Sequence, residues 1–105
     1  MHAIIRRYTI KGGAVDRKTM DDLKRQTEDK FMPTLQDLRG FHGYYLMNVN
    51  DKEIVSIGVF EDQSALAEST RRAADFVKTL PIQLNNPEII QGELLVSRET
   101  PVGAR

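Results

Sequence analysis

The run Glu53-Ile54-Val55-Ser56-Ile57-Gly58-Val59-Phe60 limits what this chain can fold into more than any other stretch. Successive side chains of a strand point to opposite faces. Here both sets are apolar or small: Ile54, Ser56, Gly58 and Phe60 on one parity, Val55, Ile57 and Val59 on the other. Such a strand is covered on both faces and lies inside a sheet rather than at its rim. Before it come Phe41-His42-Gly43-Tyr44-Tyr45-Leu46-Met47-Asn48 and the break Asn50-Asp51-Lys52, whose side chains support turn geometry, so the two runs form a β-hairpin.

The flanking segments supply the rest of a domain. Residues Ala3 to Ile10 alternate as a strand, with Ile4, Tyr8 and Ile10 on one face and Ala3, Ile5 and Thr9 on the other. Arg6 and Arg7 therefore fall on opposite faces, and a long side chain of this kind is expected to carry its charge out to solvent. Lys11-Gly12-Gly13 ends the strand, without the spaced glycines, lysine and hydroxyl of a phosphate-binding loop. Asp16 caps a first helix with Met20, Leu23 and Phe31 inward, which Pro33 is expected to end or kink. A short turn with Leu35 and Leu38 inward closes at Gly40. Asp62 caps a second long helix whose inward stripe is Ala65, Leu66, Ser69, Ala73, Phe76, Val77 and Leu80, and Pro81 stops it. Ile82 to Leu84 has room for one more turn before the loop Asn85-Asn86-Pro87. A last strand is predicted from Ile90 to Arg98, giving one domain over residues 1–98 and a disordered tail over 99–105.

Strand, helix, strand, strand, helix, strand is the ferredoxin-like split pattern, an α+β fold with a four-stranded antiparallel sheet in which the first and third strands are central. Helices cover one face of such a sheet. The other face, carrying one parity of the third strand, would be an apolar patch on a monomer, so a homodimer packed sheet against sheet is expected.

Composition removes several functions. The 105 residues contain 15 basic and 15 acidic side chains, a net charge of +0, which leaves no basic surplus for a nucleic-acid surface. The absence of cysteine excludes disulfides, thiolate nucleophiles and cysteine-held metals. No apolar run approaches the ~20 residues of a membrane helix, and Arg6 and Arg7 interrupt the start too early for a secretory signal, which makes the cytoplasm the default location. His2 and His42 have no carboxylate at ligand spacing, so no metal site is expected, and Ser69 has no histidine near it in sequence to activate it.

The run Gly40 to Tyr45, the run Ile54 to Asp62 entering a helix with Ala65 and Ser69, and Gly92-Glu93-Leu94-Leu95-Val96 together resemble the antibiotic-biosynthesis-monooxygenase-like dimeric α/β-barrel superfamily. The likeness spans nearly the whole chain and consists of fold patterns rather than catalytic ones. It implies a small homodimer whose sheets close into a barrel, with a cleft between sheet and helices that in some members holds an aromatic polyketide or haem. The haem-degrading branch uses a second-helix histidine and a tryptophan; this chain has Arg71, Arg72 and Ala73 there and no tryptophan at all, so haem degradation is not expected. The quinone-forming branch works without flavin or metal, its pocket offering asparagine, tyrosine, tryptophan and arginine. Arg7, Tyr44, Tyr45 and Asn48 supply some of these types.

These readings give His42, Tyr44 and Tyr45 as catalytic candidates, with at most one of the adjacent tyrosines able to line a given cavity. Arg7, Asn48, Ser56 and Phe60 are the substrate-binding candidates, the small Ser56 and Gly58 either leaving room above the sheet or admitting a close-packed neighbour. No cofactor is called for. Two functions stand: a homodimer binding a small apolar or aromatic molecule in the cleft, and a cofactor-independent monooxygenase of a phenolic or anthrone-like substrate in which a tyrosine or His42 takes the phenolic proton. A regulatory amino-acid-sensing domain of the same topology would need attachment to a larger enzyme or repressor.

Overall fold

A computed structural model describes residues 1–98. The chain runs β1 (His2–Thr9), α1 (Arg17–Gln26), a π-helical turn (Thr27–Phe31), α2 (Met32–Gln36), β2 (Phe41–Val49), β3 (Glu53–Phe60), α3 (Gln63–Val77) and β4 (Glu88–Glu93). The four strands form one antiparallel sheet in the order β2-β3-β1-β4. The first and third strands are therefore central, as the two-faced apolar pattern of β3 predicts.

Both long helices begin as their caps dictate. The Asp16 carboxylate accepts a hydrogen bond from the Thr19 amide at 2.8 Å, and the Asp62 carboxylate accepts one from the Ala65 amide at 2.9 Å. The β2–β3 turn places Asn50 and Asp51 at positive φ, a conformation that asparagine and aspartate tolerate better than other residues with side chains.

Register settles which parity faces the helices. Ile54, Ser56 and Phe60 of β3 are buried beneath them beside Ile4 and Tyr8 of β1, with Ala65 and Leu66 of α3 above Ile4 and Phe60. Burying side chains such as Ile4, Leu35 and Phe60, each 0–1% exposed, stabilises the fold by roughly 1.5–3 kcal/mol apiece. Gly58 belongs to the same row because nothing larger fits: a Cβ there would sit 2.7 Å from Cε2 of Phe60. The close-packed neighbour, rather than room for a ligand, accounts for this glycine.

The other face of the sheet is uncovered by the chain's own helices. Its central rung crosses all four strands as Tyr45, Ile57, Ile5 and Ile90. Tyr45 is 58% and Ile90 62% exposed, and Met47 joins them at 49%.

Five expectations are corrected. The second long helix, α3, does not run to Pro81; it ends at Val77, and Leu80 lies in the turn that follows. Pro33 does not end the first helix; the π turn widens the helix ahead of it, with the Met32 amide donating to the Thr27 carbonyl, and the chain continues into α2 with proline in the first turn, where its missing N–H costs least. Residues Ile82 to Leu84 form no helical turn, because Leu84 bridges to Ile10 instead. β4 starts two residues earlier than predicted and stops at Glu93, after which only the Leu94 amide continues toward β1, donating to the Met1 carbonyl at 2.9 Å. Arg6 does not reach solvent; it is 2% exposed. The tail predicted over Glu99 to Arg105 lies outside the described residues.

Replacing Gly58 by alanine forces the Phe60 ring out of its place, and overpacking of this kind costs about 1–3 kcal/mol. Urea unfolding should show that loss for Gly58→Ala and near-parent stability for Gly92→Ala, whose added Cβ meets nothing within 4 Å. Equal midpoints for the two variants would contradict this packing.

Candidate functional site

The inner rung beside Gly58 and Ile4 holds the least expected group in the molecule. Arg6 pairs across the sheet with Ser56 on one side and Ile89 on the other, and Ser56 pairs in turn with Leu46. A guanidinium therefore lies at the centre of the helix-covered face. Its Nη2 donates to Ser69 Oγ at 3.1 Å and to Thr70 Oγ1 at 2.9 Å. Those hydroxyls donate onward to the Leu66 carbonyl, at 2.6 Å from Ser69 and 3.2 Å from Thr70, which turns their lone pairs toward the cation.

What the cluster lacks is as informative. Among the described residues no carboxylate forms an ion pair with Arg6, and neither Arg6 Nε nor Ser56 Oγ, both buried, has a hydrogen-bond partner. Burial pushes the Arg6 pKa down, opposed by Tyr8 and Tyr44. Arginine nonetheless stays protonated, because its intrinsic pKa lies so far above neutrality. The result is a fixed buried positive charge whose neighbours are hydroxyls.

Two tyrosines stand beside it. Burial raises the pKa of Tyr8, against the opposing charge of Arg6. Burial also pushes Tyr44 up to about 12, despite the opposing effects of Ser56 and Arg6. The Ser56 hydroxyl lies near enough to Tyr44 to favour its phenolate, yet without the geometry of a formed hydrogen bond. The Tyr44 ring is fixed by Phe31, edge to face at 5.4 Å, and Phe31 is stacked on Phe76 at 5.0 Å. Both phenols are neutral at pH 7, so they donate and accept hydrogen bonds but are not proton acceptors of the strength a general base needs.

Two cavities flank this cluster. The first, about 440 Å³, opens between α1, the π turn and the β2–β3 half of the sheet, walled by Met20, Leu23, Thr27, Tyr44, Leu46 and Ile54. The second, about 630 Å³, lies between β1, α3 and the segment leading to β4, with Arg6, Tyr8 and Thr70 in its wall.

The predicted site residues separate into four groups. Tyr44 lines the first cavity, and Ser56 lies beside it against Arg6. Asn48 also lines that cavity, but its amide is engaged in the hairpin turn, Nδ2 donating to Asp51 Oδ1 at 2.8 Å and Oδ1 accepting from the Asp51 amide at 2.9 Å. Phe60 is buried in the core over Gly58. Arg7 and Tyr45 lie on the opposite face of the sheet, Arg7 held by Glu53 through Nε at 2.9 Å and Nη2 at 2.6 Å. His42 is exposed at the point where the β2–β3 register shifts between Phe41 and Gly43, and lines neither cavity. Tyr8 and Thr70 are not among the site residues the sequence suggests, Ser69 is considered there only as a nucleophile, and for Arg6 a charge carried to solvent outweighs anion binding. The signal was present: Arg6 shares the parity of Ile4, Tyr8 and Ile10, and Ser69 sits in the inward stripe of α3. Among the described residues no three histidine, aspartate or glutamate side chains converge as a metal site, and no helix is long and apolar enough to cross a membrane.

Solved structures share this architecture. A protein of unknown function from Nitrosomonas europaea superposes with a TM-score of 0.71 at 17% identity, over 97% of this chain and 95% of its own. A monooxygenase from the gene ActVA-Orf6 of Streptomyces coelicolor, in complex with nanaomycin D, gives 0.64 at 15% identity over 91% and 92%. SnoaB, a cofactor-independent oxygenase from Streptomyces nogalater, gives 0.58 at 15% over 91% and 94%. No protein-family model and no curated protein matches the sequence. The chain thus shares the ferredoxin-like α+β fold of these solved structures, and identities this low establish fold alone.

Tyr44 makes a pH prediction with a definite sign. The fold favours its neutral form, so this contribution to stability is complete below pH 10, the ordinary tyrosine pKa, and is lost as pH rises through about 12. Ultraviolet titration of tyrosinate should show a step near 12 that is absent from Tyr44→Phe. A difference between the two titrations centred near 10 would mean that the ring is solvated.

Proposed function

We propose that this protein is a homodimer that holds a small apolar or aromatic molecule in the cleft between α1 and the β2–β3 half of the sheet. The observation that carries the reading is the first cavity: its 440 Å³ falls in the range of small-molecule sites, and Met20, Leu23, Leu46, Ile54 and the fixed ring of Tyr44 give it an apolar wall, with Arg17, Asp21, Lys24 and Glu28 of the helical side also lining it. Thr27, within the π turn, adds a hydroxyl that already donates to the Leu23 carbonyl at 2.8 Å. The pairing into a dimer is supported by the rung Tyr45-Ile57-Ile5-Ile90 on the uncovered sheet face.

A cofactor-independent oxygenase is the second reading, favoured by the buried charge of Arg6 and by the fold shared with SnoaB and the ActVA-Orf6 monooxygenase. In it, a phenolic or anthrone-like substrate in the cleft loses its proton to solvent water at the cleft opening, and the charge of Arg6, which lies behind the cleft wall and acts on Tyr44 through space, favours the resulting anion. Tyr44, protonated at neutral pH, donates a hydrogen bond to the substrate oxygen rather than taking the proton. His42, which lies outside the cleft, has no part in the step.

One set of measurements separates the readings. Calorimetric titration with anthrone-like and hydroquinone compounds should show binding that Leu23→Trp, filling the cleft, weakens by at least about tenfold, equivalent to roughly 1.4 kcal/mol. Oxygen uptake that depends on both substrate and protein would establish the oxygenase, and binding without uptake the simple binding protein. No binding of any such compound at millimolar concentration would contradict both. Sedimentation velocity should give a dimer for the parent and a monomer for Ile57→Lys; a monomeric parent at micromolar concentration would remove the dimer.

A further inference from the structure

The second cavity carries an inference separate from the cleft proposed above. The charged residues in its wall are Arg6, Lys11 and Lys78, with no aspartate or glutamate among them. Lys11 and Lys78 are exposed, whereas Arg6 is 2% exposed and its Nε has no partner. A buried guanidinium served only by two hydroxyls is left short of an acceptor, and the desolvation of its charge is not offset by an opposite one. The remaining wall is largely apolar: Val77, Leu80, Ile82 and Leu84 pack toward the Tyr8 end of the core. Of the amides present, Asn85 is already engaged, donating to Thr9 Oγ1 at 2.7 Å. Gln83 and Asn86 add neutral amides to the wall, and all the formal charge in it is positive.

We propose that this cavity binds a small organic carboxylate with an apolar body, the carboxylate facing Arg6 and the body lying along Val77, Leu80 and Leu84. A carboxylate against Arg6 offsets the buried charge that the two hydroxyls leave unmatched, and a charge-assisted hydrogen bond to the guanidinium is about twice as strong as a neutral one. The exposed ammonium groups of Lys11 and Lys78 draw the anion to the opening. A neutral molecule of the same shape fills the apolar part and leaves Arg6 as it was, so the site discriminates by charge.

The test compares 1-naphthoate with 1-naphthalenemethanol, two compounds with the same ring system and different charge, by calorimetry and by amide chemical-shift mapping of the intact chain. Naphthoate is expected to bind at least about tenfold more tightly than the alcohol, with shifts concentrated at Thr70, Val77 and Leu84. Arg6→Gln should bring the two affinities within about threefold of each other, because the apolar contacts survive and the charge does not. Should that variant fail to fold, Lys78→Gln gives a second reading: naphthoate binding weakens at low salt and that difference fades at high salt. Equal affinities of the parent for the two compounds, or no naphthoate binding at millimolar concentration, would overturn the proposal. Shifts confined to Met20, Leu23 and Leu46 would overturn it too, while leaving the apolar cleft as the binding site.

Discussion

A positive charge at the middle of the sheet, held by hydroxyls instead of a carboxylate, is the constraint around which the interior is built. Arg6 ties β1 to α3 through Ser69 and Thr70, so the helix lies with its hydroxyl-bearing turn over the sheet centre. On either side of that contact the packing is ordinary and apolar: Ile4, Phe60, Ala65 and Leu66 toward one end, Tyr8, Ile10, Met20, Leu23 and Ile54 toward the other. A folded chain that needed only stability would gain from an apolar residue of similar volume at position 6, because buried ionic groups are commonly matched or bettered by hydrophobic ones. Keeping an arginine there without a counter-ion is a local inconsistency of the sort that functional sites display.

The strand that neighbours Arg6 shows how one sequence serves two surroundings. On β3, Ile54 lies beside Tyr8, the small Ser56 beside Arg6, and Gly58 beside Tyr44 and against the Phe60 ring, whereas Val55, Ile57 and Val59 form a uniform branched row on the uncovered face. The first row is shaped for particular neighbours; the second is a uniform apolar row that the chain's own helices leave uncovered. The π turn contributes similarly on the helix side, since it admits Pro33 without breaking the helix and leaves Thr27 at the wall of the first cavity.

Much of the fold was legible because its signals are periodic. The central place of β3, the caps Asp16 and Asp62 and the stripe Ala65, Leu66, Ser69 and Ala73 of α3 each rest on spacing within one segment and hold in three dimensions, whereas β3 is fully buried on one parity alone and Leu80 lies beyond the end of α3. The site was less legible because it depends on parity and on contacts between distant segments. Arg6 and Arg7 are adjacent in sequence, and only pairing to β3 and α3 shows that the first is buried against Ser69 and the second is held outside by Glu53. Tyr44 and Tyr45 divide in the same way. Asn48 has the composition of a ligand-binding residue, yet its amide closes the hairpin turn with Asp51, a use that residue type alone does not reveal. His42 drew notice as a titratable group among aromatics, and the register shift places it in solvent.

The central claim is that the Arg6 guanidinium is buried, charged and short of one acceptor, and nuclear magnetic resonance of the arginine side chains tests it directly. A resolved Arg6 Nε–H signal is expected in the ligand-free protein, with exchange against water far slower than for exposed arginines such as Arg17, and with no cross-hydrogen-bond coupling to an acceptor. An Nε–H that exchanges as fast as that of Arg17, or one coupled to a carboxylate of the chain, would contradict it.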